Sequence, residues 1–378
     1  MKLTPSMDTI DTHWMRCCIA LSEKTQGLTL ENPNVGCVII DADGNLCASG
    51  YTQPGGRPHA EQVALKKAGT KAKNATLYVT LEPCSHFGKT PPCSNAIIEA
   101  GIKRVVVGMI DPDTRVNGAG IELLKQAGVS TKINVLCEEV AESIHSFLAR
   151  KIFNIDGERD VLNGMPYITV KIAHSLDGFV SKERGKGGQI SNHVSSAYVH
   201  DLRSRVDAVL ISQKTALVDD PRLTARIEGF TNTTTRIVLD RHFELSEKSL
   251  LVQTSNIHPL IIVCQNKPDS EHWVFQRRKK DNIQLLIMNE NYSLKSIFKA
   301  LLEQGQGHIL VEAGPRLLES ILSGKLADEF IQIISRKKME VGLSVVNTEH
   351  TVVFSPPPPY VVSKQFNLAE DIVKIWKR

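Results

Sequence analysis

Long apolar runs are missing from this 378-residue chain: nothing approaches the roughly 18 to 20 residues needed to cross a bilayer, so an integral membrane protein is not expected. Aromatic residues are scarce, at 5%, and the 45 Lys and Arg nearly balance the 41 Asp and Glu, leaving a formal net charge of +4. So small a bias, with no aromatic residues interleaved among the basic ones, leaves no electrostatic footprint for nucleic acid. Even the densest basic cluster, Arg277-Arg278-Lys279-Lys280, reads as a solvated loop. There is no internal repeat and no secretory apolar segment at the start, and the eight cysteines are scattered. Reduced thiols in the cytoplasm are therefore expected, most of them small buried hydrophobes.

What is present is an ordinary soluble composition, 42% hydrophobic and 23% charged, over a length that predicts two domains. Apolar residues at helical spacing over Asp11 to Ser22 predict an opening amphipathic helix. A hairpin follows from Cys37-Val38-Ile39-Ile40, Asp43-Gly44 and Leu46 to Gly50. Pro58 early and Gly69 late bound a helix over Ala60 to Ala68, Leu77 to Leu81 reads as a strand, and Cys93 starts a helix ending at Gly101. Strands over Val105 to Met109 and Val129 to Leu136 flank a helix around Gly120 to Ala127, giving an α/β layered domain. The polar segment from Lys151 to Gly164 is the expected boundary, with domains over 1–152 and 165–378. Beyond it, apolar runs from Tyr167, Ala208, Thr235, Leu260, Ile283 and His308 alternate with helical stretches such as Asn192 to Arg203 and Leu294 to Glu303, a second α/β domain. Pro356 to Pro359 reads as a rigid turn.

One stretch carries chemistry. His59-Ala60-Glu61 is followed by Glu82-Pro83-Cys84 and, after an insertion, by Cys93. One imidazole and two thiolates suit zinc, and three protein ligands leave a tetrahedral ion one open position, as catalytic sites do. Glu61, a non-ligand two residues past the histidine, is then placed to move protons. This is the zinc-deaminase pattern, with its usual short gap between cysteines lengthened by Ser85 to Pro92. Cys93 at a helix start would favour its thiolate. The bland alternative is a buried histidine, a capping glutamate and two inert thiols.

In the second half, Val311-Glu312-Ala313-Gly314-Pro315 reads as strand, glycine turn and helix, where free backbone N–H groups could hold a phosphate. Val218-Asp219-Asp220-Pro221 is a second turn, whose acidic pair could cap the next segment or reach a ligand. Neither names a substrate.

Taken together, Asn32-Pro33-Asn34-Val35-Gly36-Cys37, Pro58-His59-Ala60-Glu61 and the run Thr80 to Cys93 resemble the bifunctional riboflavin-biosynthesis deaminase/reductase family, whose own variant is the long insertion between the cysteines. The second half is similar to that family's reductase at Lys171 to Gly178, Thr215 to Arg226 and Val311 to Pro315. The resemblance implies a cytidine-deaminase-like αβα domain followed by one similar to dihydrofolate reductase. It implies hydrolytic removal of the 2-amino group from 2,5-diamino-6-ribosylamino-4(3H)-pyrimidinone 5′-phosphate, then NADPH-dependent reduction of the ribosyl chain to ribityl. By the same resemblance His59, Cys84 and Cys93 hold Zn2+ and Glu61 is the catalytic proton shuttle. Arg203, Leu223, Arg226 and Glu312 fall to the substrate, and Ala173, Thr215, Asp219 and Gly314 to NADPH. No nucleic-acid or membrane partner is implied, and a homo-oligomer is common at this size.

The chain departs from the family pattern at Thr52, Phe179, Gly187, Gln189, Ile211 to Lys214 and Ser335 to Gly342. These departures support a rival reading, a deaminase whose reductase half serves as scaffold. A nucleic-acid editing deaminase is the third, and the modest charge and second α/β domain speak against it.

Overall fold

The computed structural model describes residues 6–86, 91–113, 117–155, 164–181, 188, 190–227, 234–278, 281–345 and 354–378. Two compact units emerge, Met1–Asn163 and Gly164–Arg378, each with its own sheet and core.

The first unit runs α1 (Met7–Ser22), β1 (Gly36–Ile40), β2 (Leu46–Tyr51), α2 (Ala60–Ala68), β3 (Thr76–Leu81), α3 (Cys93–Glu99), β4 (Arg104–Met109), α4 (Ala119–Gln126), β5 (Ser130–Lys132), α5 (Cys137–Ser143) and α6 (His145–Ile155). Its sheet has the order β2-β1-β3-β4-β5, antiparallel across the first three strands and parallel across the last three. β1 and β3 are apolar and almost wholly buried, as strands covered on both faces must be. Ser6 caps α1 by accepting from the Thr9 N–H. Asp11, fully buried on that helix, accepts two bonds from Arg104 at 2.8 and 2.7 Å, one from Lys132 at 2.8 Å and one from the Tyr78 hydroxyl at 3.1 Å, which ties α1 to β3, β4 and β5. Gly50 in β2 sets the height of α2: a Cβ there would stand 2.3 Å from the Ala60 carbonyl oxygen, so only glycine lets the helix start rest on the strand.

Two details differ from expectation. The strand over Val129 to Leu136 is cut to Ser130–Lys132, because Asn134 and Leu136 take left-handed φ values of 62° and 57° and Leu136 becomes the N-cap of α5. The polar segment expected from Lys151 is helical to Ile155, and 156–163 lie outside the described residues.

The second unit runs β6 (Tyr167–Ser175), β7 (Phe179–Ser181), α7 (His193–Ser204), β8 (Ala208–Ser212), α8 (Gln213–Asp219), β9 (Thr235–Leu239), α9 (Leu250–Gln253), β10 (Leu260–Cys264), α10 (Trp273–Arg277), β11 (Ile283–Ile287), α11 (Leu294–Glu303), β12 (His308–Glu312), α12 (Pro315–Ser323), β13 (Glu329–Ser335), β14 (Leu343–Ser344), β15 (Val361–Leu368) and β16 (Asp371–Lys377). The large sheet has the order β11-β10-β9-β8-β12-β6-β13-β16-β15, parallel from β11 to β13 and closed by an antiparallel hairpin. From β6 the chain goes to β8, travels outward to β11 and returns as β12 into the gap between β8 and β6. That reversal opens a crevice at the carboxyl ends of the strands, the usual ligand position in such sheets. Asp220 caps α9 by accepting from the Leu250 N–H, which settles one use of the acidic pair. Arg277 ends α10 and pairs with Glu247 at 3.5 Å and Asp281 at 3.2 Å rather than lying in a free loop; Lys279 and Lys280 fall outside the described residues. Pro356 to Pro359 lead through a turn to β15.

A polar chain crosses this core. Trp376 donates to Gln332 Oε1 at 3.0 Å, the Gln332 amide donates to Phe354 O at 2.6 Å and to His174 Nε2 at 2.9 Å, and His174 Nδ1–H donates to Ser175 O at 2.7 Å. His174 and Gln332 are fully buried. Burial holds the imidazole below its ordinary pKa, with the Ser175 bond opposing. Protonation would also turn Nε2 into a donor facing a donor. The unfolded chain therefore binds the proton first, and stability is lost as pH falls below about 6.5, by up to about 1.4 kcal/mol per pH unit. Urea unfolding of the parent and of His174→Gln between pH 7.5 and 5 checks this: the difference between the two slopes isolates His174 from His200, His258 and Glu329, which are shifted as well.

A candidate zinc centre and a candidate cofactor cavity

The first site forms where β3 runs out and two helices begin. His59 is the N-cap of α2 and Glu61 lies in its first turn; Cys84 follows the end of β3 by three residues, and Cys93 is the first residue of α3. His59 Nδ1 lies 3.4 Å from Cys93 Sγ and 3.7 Å from Cys84 Sγ, and all three ligand atoms lie within 4.8 Å of one another. Among the described residues this is the one grouping of three such side chains that could hold a metal ion. The Cys93 backbone N–H donates to Cys84 Sγ at 3.3 Å, so the amide left free at the start of α3 is spent on the other cysteine.

The electrostatics suit a cation. A hydrogen bond from Cys93, backed by His59 and opposed by burial, holds the Cys84 thiol down to about 4. The same bond, with burial, pushes Cys93 well up. His59 is raised by its bond to Cys84. Two adjacent thiolates in so buried a place would repel; a divalent ion of borderline softness removes that conflict, and the donor set is the one zinc takes in sites that keep an open position. Glu61 is buried at 4% exposure, and burial raises its carboxyl above the usual range, with His59 opposing. Thr52, at one family departure, is buried, and its hydroxyl accepts from the Val35 N–H at 3.0 Å, tying the end of β2 to the start of β1.

The second site is a cavity of about 930 Å³ at the strand ends, lined from β6 by Lys171 and Ala173, from α7 by His200 and Arg203, and from the α12 turn by Glu312 and Gly314. Thr215, Asp219 and Arg226 also line it. Leu223 does not: it is 2% exposed and packs in the core, with a left-handed φ of 54°. Gly314 is the N-cap of α12, and a Cβ there would meet nothing nearer than Thr215 Oγ1 at 3.8 Å, which leaves the helix start open to a ligand. The volume, the open helix start and the polar lining fit a dinucleotide.

Charge in the cavity is already organised. Arg203 donates to Glu312 at 2.6 Å and Lys171 stands 3.7 Å from it. Burial pushes the Glu312 carboxyl up, but those two cations outweigh it and hold it at about 2. Arg226 bonds His200 Nε2 at 3.0 Å, while His200 Nδ1 faces the Thr224 carbonyl at 3.0 Å. Lys171 and His200 were not singled out from the sequence; no spacing distinguishes them from ordinary strand and helix residues. Of the departures, Gly187 and Gln189 lie outside the described residues. The segment Ser335 to Gly342 is anchored by Asp177, which accepts from the Met339 N–H at 2.9 Å and the Glu340 N–H at 2.8 Å, and its Val341 and Gly342 form part of the cavity wall.

Fold and site together define a zinc-dependent deaminase joined to an α/β reductase. Comparison agrees: residues 8–109 match the cytidine and deoxycytidylate deaminase zinc-binding region, and residues 166–337 match the RibD C-terminal domain. The riboflavin biosynthesis protein RibD of Aquifex aeolicus is 37% identical over 98% of this chain and 99% of its own length. That of Escherichia coli is 34% identical over 86% and 88%. The solved diaminohydroxyphosphoribosylaminopyrimidine deaminase/5-amino-6-(5-phosphoribosylamino)uracil reductase of Thermotoga maritima superposes with a TM-score of 0.81 at 30% identity, covering 98% of this chain and 99% of that one. The chain belongs to the RibD family, bifunctional deaminase/reductases of riboflavin biosynthesis that carry a zinc-binding deaminase domain and an NADPH-using reductase domain. No helix among the described residues is long and apolar enough to cross a membrane.

Replacing Glu312 by alanine leaves Arg203 and Lys171, at 12% and 17% exposure, without their counter-charge. Removing one partner of a buried pair costs about 3 to 5 kcal/mol, so Glu312→Ala is expected to lower urea stability of the second unit by about 3 kcal/mol.

Proposed function

We propose that residues 1–152 remove the 2-amino group of 2,5-diamino-6-ribosylamino-4(3H)-pyrimidinone 5′-phosphate, and that residues 165–378 reduce the ribosyl chain of the product to ribityl with NADPH, both in the cytoplasm. The observation that carries the first half is the meeting of His59 Nδ1 with two cysteine sulfurs beside the buried Glu61. His59, Cys84 and Cys93 hold the zinc, which when bound supplies the Lewis acidity that makes water nucleophilic near neutral pH. Glu61 takes a proton from the attacking water and delivers it to the amino group, which leaves as ammonia. Burial suits it to both roles, since a raised pKa lets one carboxyl act as base and then as acid.

In the reductase half, Gly314 at the start of α12 and Thr215, Asp219 and Ala173 around it take the cofactor. Arg203 and Arg226 are assigned to the substrate phosphate, whose oxygens match a guanidinium fork. Their surroundings rank them. Arg203 is engaged with Glu312, whereas Arg226 lies on the exposed rim with His200 as its neutral partner, so Arg226 is the guanidinium free to take a new anion. Glu312, kept ionised by Arg203 and Lys171, offers an acceptor to the ribosyl hydroxyls.

One incubation of the purified protein with the diaminopyrimidine and NADPH, following ammonia release and NADPH absorbance separately, is expected to show both steps in equal amount. Deamination without NADPH oxidation would instead support a scaffolding second domain. Glu61→Gln should retain one zinc per chain, lose deamination by roughly 100-fold to 10,000-fold, and still reduce the pre-deaminated product at the parent rate. Arg226→Ala should raise the reductase KM for that product about tenfold or more with kcat little changed, as loss of a uniform binding contact does.

A further inference from the structure

The turn that delivers Cys84 is fixed residue by residue. Glu82, directly after β3, is 4% exposed, and its carboxylate accepts four backbone N–H groups. Oε2 accepts from Asp111 at 3.2 Å and Gly118 at 2.9 Å; Oε1 accepts from Gly120 at 2.9 Å and Ile121 at 3.3 Å. Gly120 and Ile121 stand in the first turn of α4, where amides have no partner inside the helix. Next, the Pro83 carbonyl is packed so tightly under α4 that a Cβ on Gly120 would lie 2.1 Å from its oxygen. The Cys84 carbonyl then accepts from the Ser94 N–H at 3.2 Å and the Ser94 hydroxyl at 3.1 Å.

We propose that Glu82 is a positioning residue for the metal centre: by gathering the Asp111 loop and the first turn of α4 onto one carboxylate, it sets where the Cys84 sulfur stands against His59 and Cys93. The inference rests on the reading of those three residues as zinc ligands. It requires a carboxylate in particular. Four N–H donors fill two oxygens with two bonds each, whereas the isosteric amide has one oxygen and an NH2 that itself donates. Glu82→Gln therefore keeps the volume, loses two of the four bonds and sets donor against donor. Released from α4, the Glu82-Pro83-Cys84 turn shifts, and the sulfur with it.

The test uses the full chain loaded with cobalt in place of zinc, read by the thiolate-to-cobalt charge-transfer and ligand-field bands, together with zinc affinity by competition with a chromophoric chelator. The parent protein must first show thiolate bands; their absence would overturn the ligand assignment itself, and is thereby distinct from failure of the present proposal. Given those bands, Glu82→Gln is expected to shift and weaken them and to lower zinc affinity at least tenfold in protein that retains its circular dichroism and still binds NADPH. Gly120→Ala, whose Cβ would stand 2.1 Å from the Pro83 carbonyl oxygen and 3.2 Å from Glu82 Oε1, must displace the turn while keeping the carboxylate's chemistry; it is expected to change the bands in the same sense, and it carries the test if Glu82→Gln does not accumulate folded. Bands and zinc affinity that superimpose on the parent's in whichever of these variants folds would overturn the proposal.

Discussion

The first four backbone N–H groups of an α-helix have no partner within it, and both functional regions of this protein are assembled from such groups. At the zinc centre the free amide of Cys93 at the start of α3 turns toward Cys84 Sγ, and amides at the start of α4 turn toward Glu82. In the second unit, Gly314 leaves the start of α12 open to the cavity. At α12 a strand ends, the chain turns sharply and the helix begins within three residues; at α3 and α4 the partial positive charge of the helix start meets a cysteine sulfur and a carboxylate.

Buried charge is handled differently in the two units. Among the described residues the partners of the Glu82 carboxylate are dipoles, four amides held by backbone geometry. Glu312 is neutralised by two side-chain cations, Arg203 and Lys171. Backbone amides are held in place by the chain around them, whereas side-chain cations can change rotamer. Asp11, buried on α1 with Arg104, Lys132 and the Tyr78 hydroxyl, is likewise met by side-chain cations and holds a helix to its sheet.

Much of the architecture was legible because its signals are local. Pro58 and Gly69 bracket α2, the hairpin turn at Asp43-Gly44 separates β1 from β2, and the apolar runs of the second half fall on β8 to β12 within a residue or so. The errors arose where local pattern is overridden. The run Val129 to Leu136 is apolar enough for a strand, yet Asn134 and Leu136 are turned into the left-handed region to start α5. Strands β13, β15 and β16 escaped notice: β15 is exposed along most of its length and lacks an apolar face to announce it, whereas β13 is apolar and buried and had such a signal. Leu223 sits next to the cavity in sequence motif but under it in space, a distinction that period and spacing do not carry.

The amino-acid sequence by itself carried the chemistry of the first unit: His59, Glu61, Cys84 and Cys93 stand in the pattern of a zinc deaminase, and their identities do not depend on the arrangement of the backbone. What only the tertiary structure decided is which groups act on those residues. That Arg203 is already committed to Glu312 while Arg226 faces His200, and that the Cys84 turn hangs from four amides contributed by residues 29 to 39 positions further on, depend on contacts across the sheet. Such contacts form between residues far apart in the chain and leave no spacing by which to find them, because hydrogen-bond partners are chosen by distance in space and not by order along the backbone.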